Sequence, residues 1–123
     1  LKLLVASSKP TVFVEKIAVH FGIDGCFSHI VGAELDGRRT DKSEVVAEAI
    51  ALSGSGRERI LMVGDRSFDI VGGHNMGVKV AAVGWGYGNA EELAEADYIV
   101  NAPEEIIGLI GGTPDAGTKR ERI

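Results

Sequence analysis

The run Ile60-Leu61-Met62-Val63-Gly64-Asp65-Arg66-Ser67-Phe68-Asp69-Ile70-Val71-Gly72-Gly73 constrains the fold more than any other stretch of this sequence. The apolar residues Ile60 to Val63 carry the signal of a short buried strand, which Gly64 and Asp65 end. A helical pattern follows at once. In an open α/β sheet, ligands sit outside the carboxyl end of a strand, beside a helix N-terminus. Asp65 and Asp69 place two carboxylates at such a point. Hard oxygen ligands clustered in this way suit Mg²⁺, which takes one or two carboxylates, keeps some water and bridges to substrate phosphate. The same pair also reads as a helix N-cap and a solvated acid. Taken alone, it leaves both readings open.

Composition narrows the class. A chain of 123 residues, 45% hydrophobic and 25% charged, fits one soluble domain with a real core. Eighteen acids against 13 lysines and arginines give a net charge of -5, and no basic stripe appears, so nucleic acid is not an expected partner. The single cysteine, Cys26, has no internal disulfide partner and is expected as a small buried apolar residue in a reducing compartment. No apolar run reaches membrane-spanning length, and no signal segment opens the sequence, so a cytoplasmic protein is expected. The sequence begins at Leu1, inside an apolar run, which leads us to expect part of a longer or processed polypeptide.

Strand and helix signals alternate along the chain. Leu3 to Ala6 reads as a strand ended by Ser7-Ser8-Lys9-Pro10. Pro10 after a serine cap candidate predicts a helix to about Phe21, with Phe13, Ile17 and Phe21 on one face and a stop at Gly22. Phe27 to Val31 is a second strand, and 34 to 40 a polar loop. Thr40 or Asp41 caps a helix with an inward stripe of Val45, Val46, Ala49, Ile50 and Leu52, broken by Ser53-Gly54-Ser55-Gly56. Val78 to Val83 is another strand. Asn89 then caps a turn whose acids, Glu91 and Glu92, favour the helix dipole. Tyr98 to Val100 is a last strand, and Pro103 opens a helix to Ile110. Residues 111 to 123 lack apolar periodicity and read as a disordered tail. Such alternation predicts a mainly parallel sheet with helices on both faces, a Rossmann-like three-layer α/β/α core over residues 1 to 110.

Strand ends on one edge of such a sheet converge, and three of them carry polar residues of complementary character. Ser7 and Ser8 precede a helix N-terminus, whose free N–H groups favour an anion. Lys42 begins the second helix, where a cation opposes the dipole and hints at a nearby negative charge. Asp65 and Asp69 supply carboxylates. Together they form a candidate Mg²⁺-phosphate site, although simple capping accounts for the serines and a solvated surface side chain for Lys42. Gly84-x-Gly86-x-Gly88 fails the spacing of a dinucleotide fingerprint and reads better as a loop near a substrate mouth, with Trp85 and Tyr87 packing or lining it. His20, His29 and His74 show no metal-ligand spacing.

Val5-Ala6-Ser7-Ser8-Lys9-Pro10, Thr40-Asp41-Lys42 and Val63-Gly64-Asp65-Arg66-Ser67-Phe68-Asp69, in this order, resemble the second, third and fourth motifs of the haloacid dehalogenase-like superfamily. The run Gly77 to Gly88 and Ala96-Asp97-Tyr98-Ile99 are similar to its phosphoglycolate-phosphatase-like branch. The resemblance implies that Ser7, with Ser8 beside it, holds a phosphoryl oxygen. Lys42 would neutralise developing charge and position the nucleophile, with Arg39 a rival for that role. Asp65 would bind Mg²⁺, and Asp69 would help hold the metal or its waters. The implied reaction is Mg²⁺-dependent hydrolysis of a small phosphorylated metabolite.

The first motif of that family, an Asp-x-Asp after a strand, is absent from these 123 residues. In the family its first aspartate forms an aspartyl-phosphate and its second protonates the leaving group. The resemblance therefore implies a C-terminal half whose central nucleophile strand and substrate-selecting cap are missing. Strands deprived of that neighbour would expose unpaired backbone groups, so a completing chain, a homo-oligomer or upstream residues are expected. Two other classes remain open: a receiver-like or nucleotide-binding module holding Mg²⁺ without catalysis, and an inactive truncated partner subunit.

Overall fold

The computed structural model describes residues 1 to 34 and 41 to 110. The chain divides into two compact units, Leu1–Arg57 and Glu58–Ile123. Most of the expected polar loop, with Arg39, and the expected tail from 111 to 123 lie outside the described residues.

In the first unit, β1 (Leu4–Pro10), α1 (Thr11–His20), β2 (His29–Ala33) and α2 (Lys42–Ser53) form a two-stranded parallel sheet contacted by both helices. The β1–β2 register runs Leu4↔His29, Val5↔Ile30, Ala6↔Val31 and then jumps to Pro10↔Ala33. Ser7, Ser8 and Lys9 on β1 thus face Gly32 alone on β2, which is a bulge. Gly32 is required there: a Cβ would come within 2.8 Å of the Thr11 backbone nitrogen. Thr11 closes the crossing, its Oγ1 accepting from Gly32 N–H at 3.0 Å and donating to the Ala33 carbonyl at 3.4 Å.

α2 starts as its sequence suggests. Asp41 is the N-cap, its carboxylate accepting from Ser43 N–H at 2.7 Å, and Gly54 ends the helix at φ +70°. Val45 and Val46 are buried, whereas Leu52 is 41% exposed and Ser53 takes the buried position in its place. The Ser53 hydroxyl can be buried because it donates to the Ile50 carbonyl at 2.7 Å.

The first helix departs from expectation. β1 extends through Pro10, which becomes the N-cap residue of α1, and no side chain caps the helix. Pro10 has ψ 140°, still extended, so the serines before it belong to the bulged strand. Phe13, Ile17 and Phe21 do share a helix face, but all three are exposed, and Ala18 is the buried residue of α1. Gly22 stops the helix with φ +70°, as expected. Cys26 is exposed, not buried, because it sits in a short 3-10 turn, Asp24–Cys26, that has no buried residue.

In the second unit, β3 (Leu61–Gly64), α3 (Ser67–Asn75), β4 (Lys79–Val83), α4 (Ala90–Leu93), β5 (Tyr98–Val100) and α5 (Pro103–Ile110) build a parallel sheet in the order β3-β4-β5. Its core joins Ile70, Val80, Ala82, Leu93 and Ala96, with Met62 and Ile99 packed on them. Fully burying a side chain such as Ile70 or Val80 stabilises by about 1.5–3 kcal/mol. Gly73 lets α3 approach β4 closely, since a Cβ there would lie 2.5 Å from Val80 Cγ2. Asp97 ties the start of β5 to α3 and β4. Its Oδ2 accepts from Val80 N–H and meets His74 Nε2, each at 2.8 Å. Burial acts to raise the Asp97 pKa, but these two hydrogen bonds, together with the electrostatic pull of His74 and Lys79, outweigh it and hold the carboxyl below its usual range.

Each unit is therefore mixed α/β with parallel strands, and each presents an edge strand. β1 pairs with β2 only, and β3 with β4 only, among the described residues. No helix among those residues is long and apolar enough to cross a membrane.

Candidate functional site

The second unit concentrates chemistry at the end of β3. Asp65 follows the strand directly, and Asp69 lies one helical turn later, on the first turn of α3. Asp69 is buried, 6% exposed, and its Oδ2 accepts from the Asp65 and Arg66 N–H groups at 3.0 and 3.1 Å. It therefore fixes the turn that presents Asp65. Gly64 is part of this device, because a Cβ on it would sit 2.5 Å from Asp69 Oδ2. The Gly-Asp-x-x-x-Asp spacing thus has a local cause: glycine makes room for the second aspartate, which in turn orders the first.

Asp65 is half-buried beneath the loop that follows β4. Its Oδ2 accepts from Tyr87 N–H at 2.9 Å, while Oδ1 makes no hydrogen bond among the described residues. The loop can come so close only because it carries glycines. A Cβ on Gly86 would lie 2.5 Å from Asp65 Oδ2, and one on Gly88 would overlap the Asp65 carbonyl oxygen. Val63, Gly64, Asp65, Val83, Trp85, Gly86 and Tyr87 line an open cavity of about 590 Å³ at this point. The loop expected near a substrate mouth does lie beside Asp65, with Trp85 half exposed and Tyr87 almost wholly so.

A second tie was not legible in sequence. Glu92 Oε2 accepts from Arg66 Nε at 2.6 Å and from Ser67 N–H at 2.7 Å, joining α4 to the first residues of α3. The Arg66 hydrogen bond, with help from Ser67 N–H, holds the Glu92 carboxyl below its usual pKa range, and Glu92 in turn raises the Arg66 pKa. Asn89 caps α4 by accepting from Glu92 N–H at 2.8 Å. From sequence, Glu92 is one of two acids in a first helical turn; its partners lie 25 and 26 residues away.

In the first unit, Ser7 is half-buried and Ser8 exposed, both in the β1 bulge, with Ser7 Oγ accepting from Lys9 N–H at 3.1 Å. Lys42 is half-buried at the start of α2, and its Nζ donates to the Ala6 carbonyl at 2.8 Å. The ammonium therefore sits at the end of the paired part of β1, one residue from Ser7. Arg39 lies outside the described residues.

Asp65 and Asp69 offer the hard oxygen donors that Mg²⁺ takes, and one Asp65 oxygen is already fixed in place by Tyr87 N–H. No cluster of three or more His, Cys, Asp or Glu side chains suited to a metal occurs among the described residues.

Comparison with known proteins settles the family. Residues 1 to 83 match the model of the haloacid dehalogenase-like hydrolases. The chain belongs to that family. It is 45% identical over 91 residues to a 5'-nucleotidase of Pseudomonas aeruginosa, a match covering 74% of this chain and 41% of that protein. It is also 44% identical over 99 residues to the tyrosine-protein kinase PtkA of Mycobacterium tuberculosis, covering 80% of this chain and 34% of the relative. Among solved structures, a predicted phosphatase from Clostridium acetobutylicum superposes with a TM-score of 0.86 at 36% identity, over 92% of this chain and 53% of the other. The chain thus spans between about a third and a half of the length of these haloacid dehalogenase-like relatives. The mixed α/β fold with parallel strands is shared with the Clostridium acetobutylicum structure.

Proposed function

We propose that this chain is the metal- and phosphate-holding part of a Mg²⁺-dependent phosphomonoesterase acting on a small phosphorylated metabolite in the cytoplasm. The observation that carries the reading is Asp65: a carboxylate at a parallel strand's carboxyl end, with one oxygen fixed by Tyr87 N–H and its backbone ordered by Asp69. Mg²⁺, when bound, would neutralise phosphoryl oxygens as charge builds on them. Asp65 would hold the ion directly. Asp69 would act mainly by keeping Asp65 in place. Within the first unit, Ser7 and Ser8 would donate to phosphoryl oxygens from the bulge, and Lys42 would supply positive charge to them. The nucleophilic aspartate would come from residues other than these 123, on a strand pairing with the edge of β3 that has no strand partner among the described residues.

The test uses the protein encoded by the complete gene carrying this sequence, with an aryl phosphate as substrate. Hydrolysis that requires Mg²⁺ and falls at least 100-fold in Asp65→Asn is expected. Metal-independent turnover, or full activity in Asp65→Asn, overturns the proposal. The similarity to a protein named as a tyrosine kinase favours a second reading, phosphoryl transfer from ATP to a tyrosine hydroxyl, with the same residues holding Mg²⁺. Labelled γ-phosphate appearing on a tyrosine peptide, with no free phosphate released from the aryl ester, would decide for it.

A further inference from the structure

We infer that Glu92 is a positioning residue for the Asp65 metal site, locking the turn that carries Asp65 against the loop that covers it. This rests on the Mg²⁺ reading above but goes beyond it, since it assigns a role to a residue outside the three motifs.

The geometry is specific. Asp65 is followed directly by Arg66 and Ser67, and both are bound by one carboxylate oxygen of Glu92, at 2.6 and 2.7 Å. Arg66 N–H and Asp65 N–H are held from the other side by Asp69 Oδ2. The backbone around Asp65 is thus gripped by Asp69 from within α3 and by Glu92 from α4. The same α4 is anchored to the covering loop: Asn89 accepts from Glu92 N–H, and the loop's Gly88 abuts both the Asp65 carbonyl and Leu93. Tyr87 N–H, one residue before Gly88, is the group bonded to Asp65 Oδ2. Glu92 therefore connects the two pieces of backbone whose separation sets that hydrogen bond. A carboxylate ligand left to rotate binds a small, geometry-demanding ion such as Mg²⁺ less well. Losing a direct outer partner of a metal ligand typically costs about 10–100-fold in affinity, and Glu92, which reaches Asp65 through Arg66 and Ser67, falls at the low end of that range.

The alternative is a plain structural ion pair, and the fold supplies its own comparison. Asp97 and His74 form a contact of 2.8 Å in the same unit, joining β5 to α3 at the far end of that helix from Asp65. The experiment is Mg²⁺ titration calorimetry, without substrate, on the complete protein and on Asp65→Asn, Glu92→Ala, Glu92→Gln and Asp97→Asn, with thermal unfolding recorded without metal.

Mg²⁺ binding that Asp65→Asn abolishes, Glu92→Ala weakens about 10-fold or more, Glu92→Gln weakens less and Asp97→Asn leaves unchanged is expected. The glutamine keeps an acceptor oxygen for Ser67 N–H, so its partial rescue marks positioning through that contact. Should Glu92→Ala fail to fold, Glu92→Gln decides, and wild-type affinity in it overturns the inference. Equal weakening by Glu92→Ala and Asp97→Asn also overturns it, as general destabilisation. If the unaltered protein binds Mg²⁺ and the Glu92 variants match it, the inference fails and the metal reading stands. If the unaltered protein binds none, both fail.

Discussion

Replacing Gly86 by alanine isolates the loop's hold on Asp65. Gly86 does not have a positive φ, so alanine brings no backbone strain, and the effect is steric. The new Cβ would lie 2.5 Å from Asp65 Oδ2. Carbon–oxygen contacts settle at about 3.3–3.6 Å, so loop and carboxylate must part by about 1 Å. The Tyr87 N–Asp65 Oδ2 distance, now 2.9 Å, would then stretch to about 4 Å, beyond hydrogen-bond range. Overpacking typically costs about 1–3 kcal/mol. The lost bond adds about 1.5 kcal/mol, the low end for a charged acceptor because Tyr87 is exposed. Stiffening the unfolded chain returns about 0.4–1 kcal/mol. A net loss of about 1.5–4 kcal/mol is expected in urea unfolding. Gly25→Ala is the control, with no positive φ and nothing within 4 Å of its Cβ. Equal stability of the two variants, with the Tyr87 amide proton unshifted by NMR, would refute this reasoning.

Two further outcomes follow from other contacts. Asp97 has a folded-state pKa below its unfolded value, so its stabilisation is complete above about pH 4, the ordinary aspartate range, and fades as pH falls through the lower folded value. The difference in melting temperature between the protein and Asp97→Asn should therefore shrink on acidification below about pH 4, and a constant difference would contradict the assignment. Thr11→Val keeps the shape but removes the hydroxyl that accepts from Gly32 N–H and donates to the Ala33 carbonyl, and about 1–2 kcal/mol of stability should be lost in urea unfolding; no loss would show that these two bonds do not stabilise the β1–β2 crossing.

Much of the element order was legible because its punctuation is local. Gly22 and Gly54 end helices in the left-handed conformation, Asp41 and Asn89 cap the helices they precede, and Pro103 opens the last one. The clustering of Asp65 with the Trp85–Tyr87 loop follows from strand order in a parallel sheet. What failed depends on tertiary context. The spacing of Phe13, Ile17 and Phe21 shows that they share a face, but not that anything covers it. Pro10 fits a helix start by chemistry, yet the pairing with Ala33 keeps it in β1. Cys26 follows the type preference for burial only where a core reaches it. The ties of Glu92 to Arg66 and Ser67 were hidden, since an acid in a first helical turn already has a local explanation in the dipole.

The measurement that bears most directly on the central claim is Mg²⁺ binding to the complete protein, with and without the Asp65 carboxylate. We expect Mg²⁺ to bind and the Asp65→Asn substitution to abolish binding together with aryl phosphate hydrolysis. Binding and turnover that survive the substitution unchanged would contradict it.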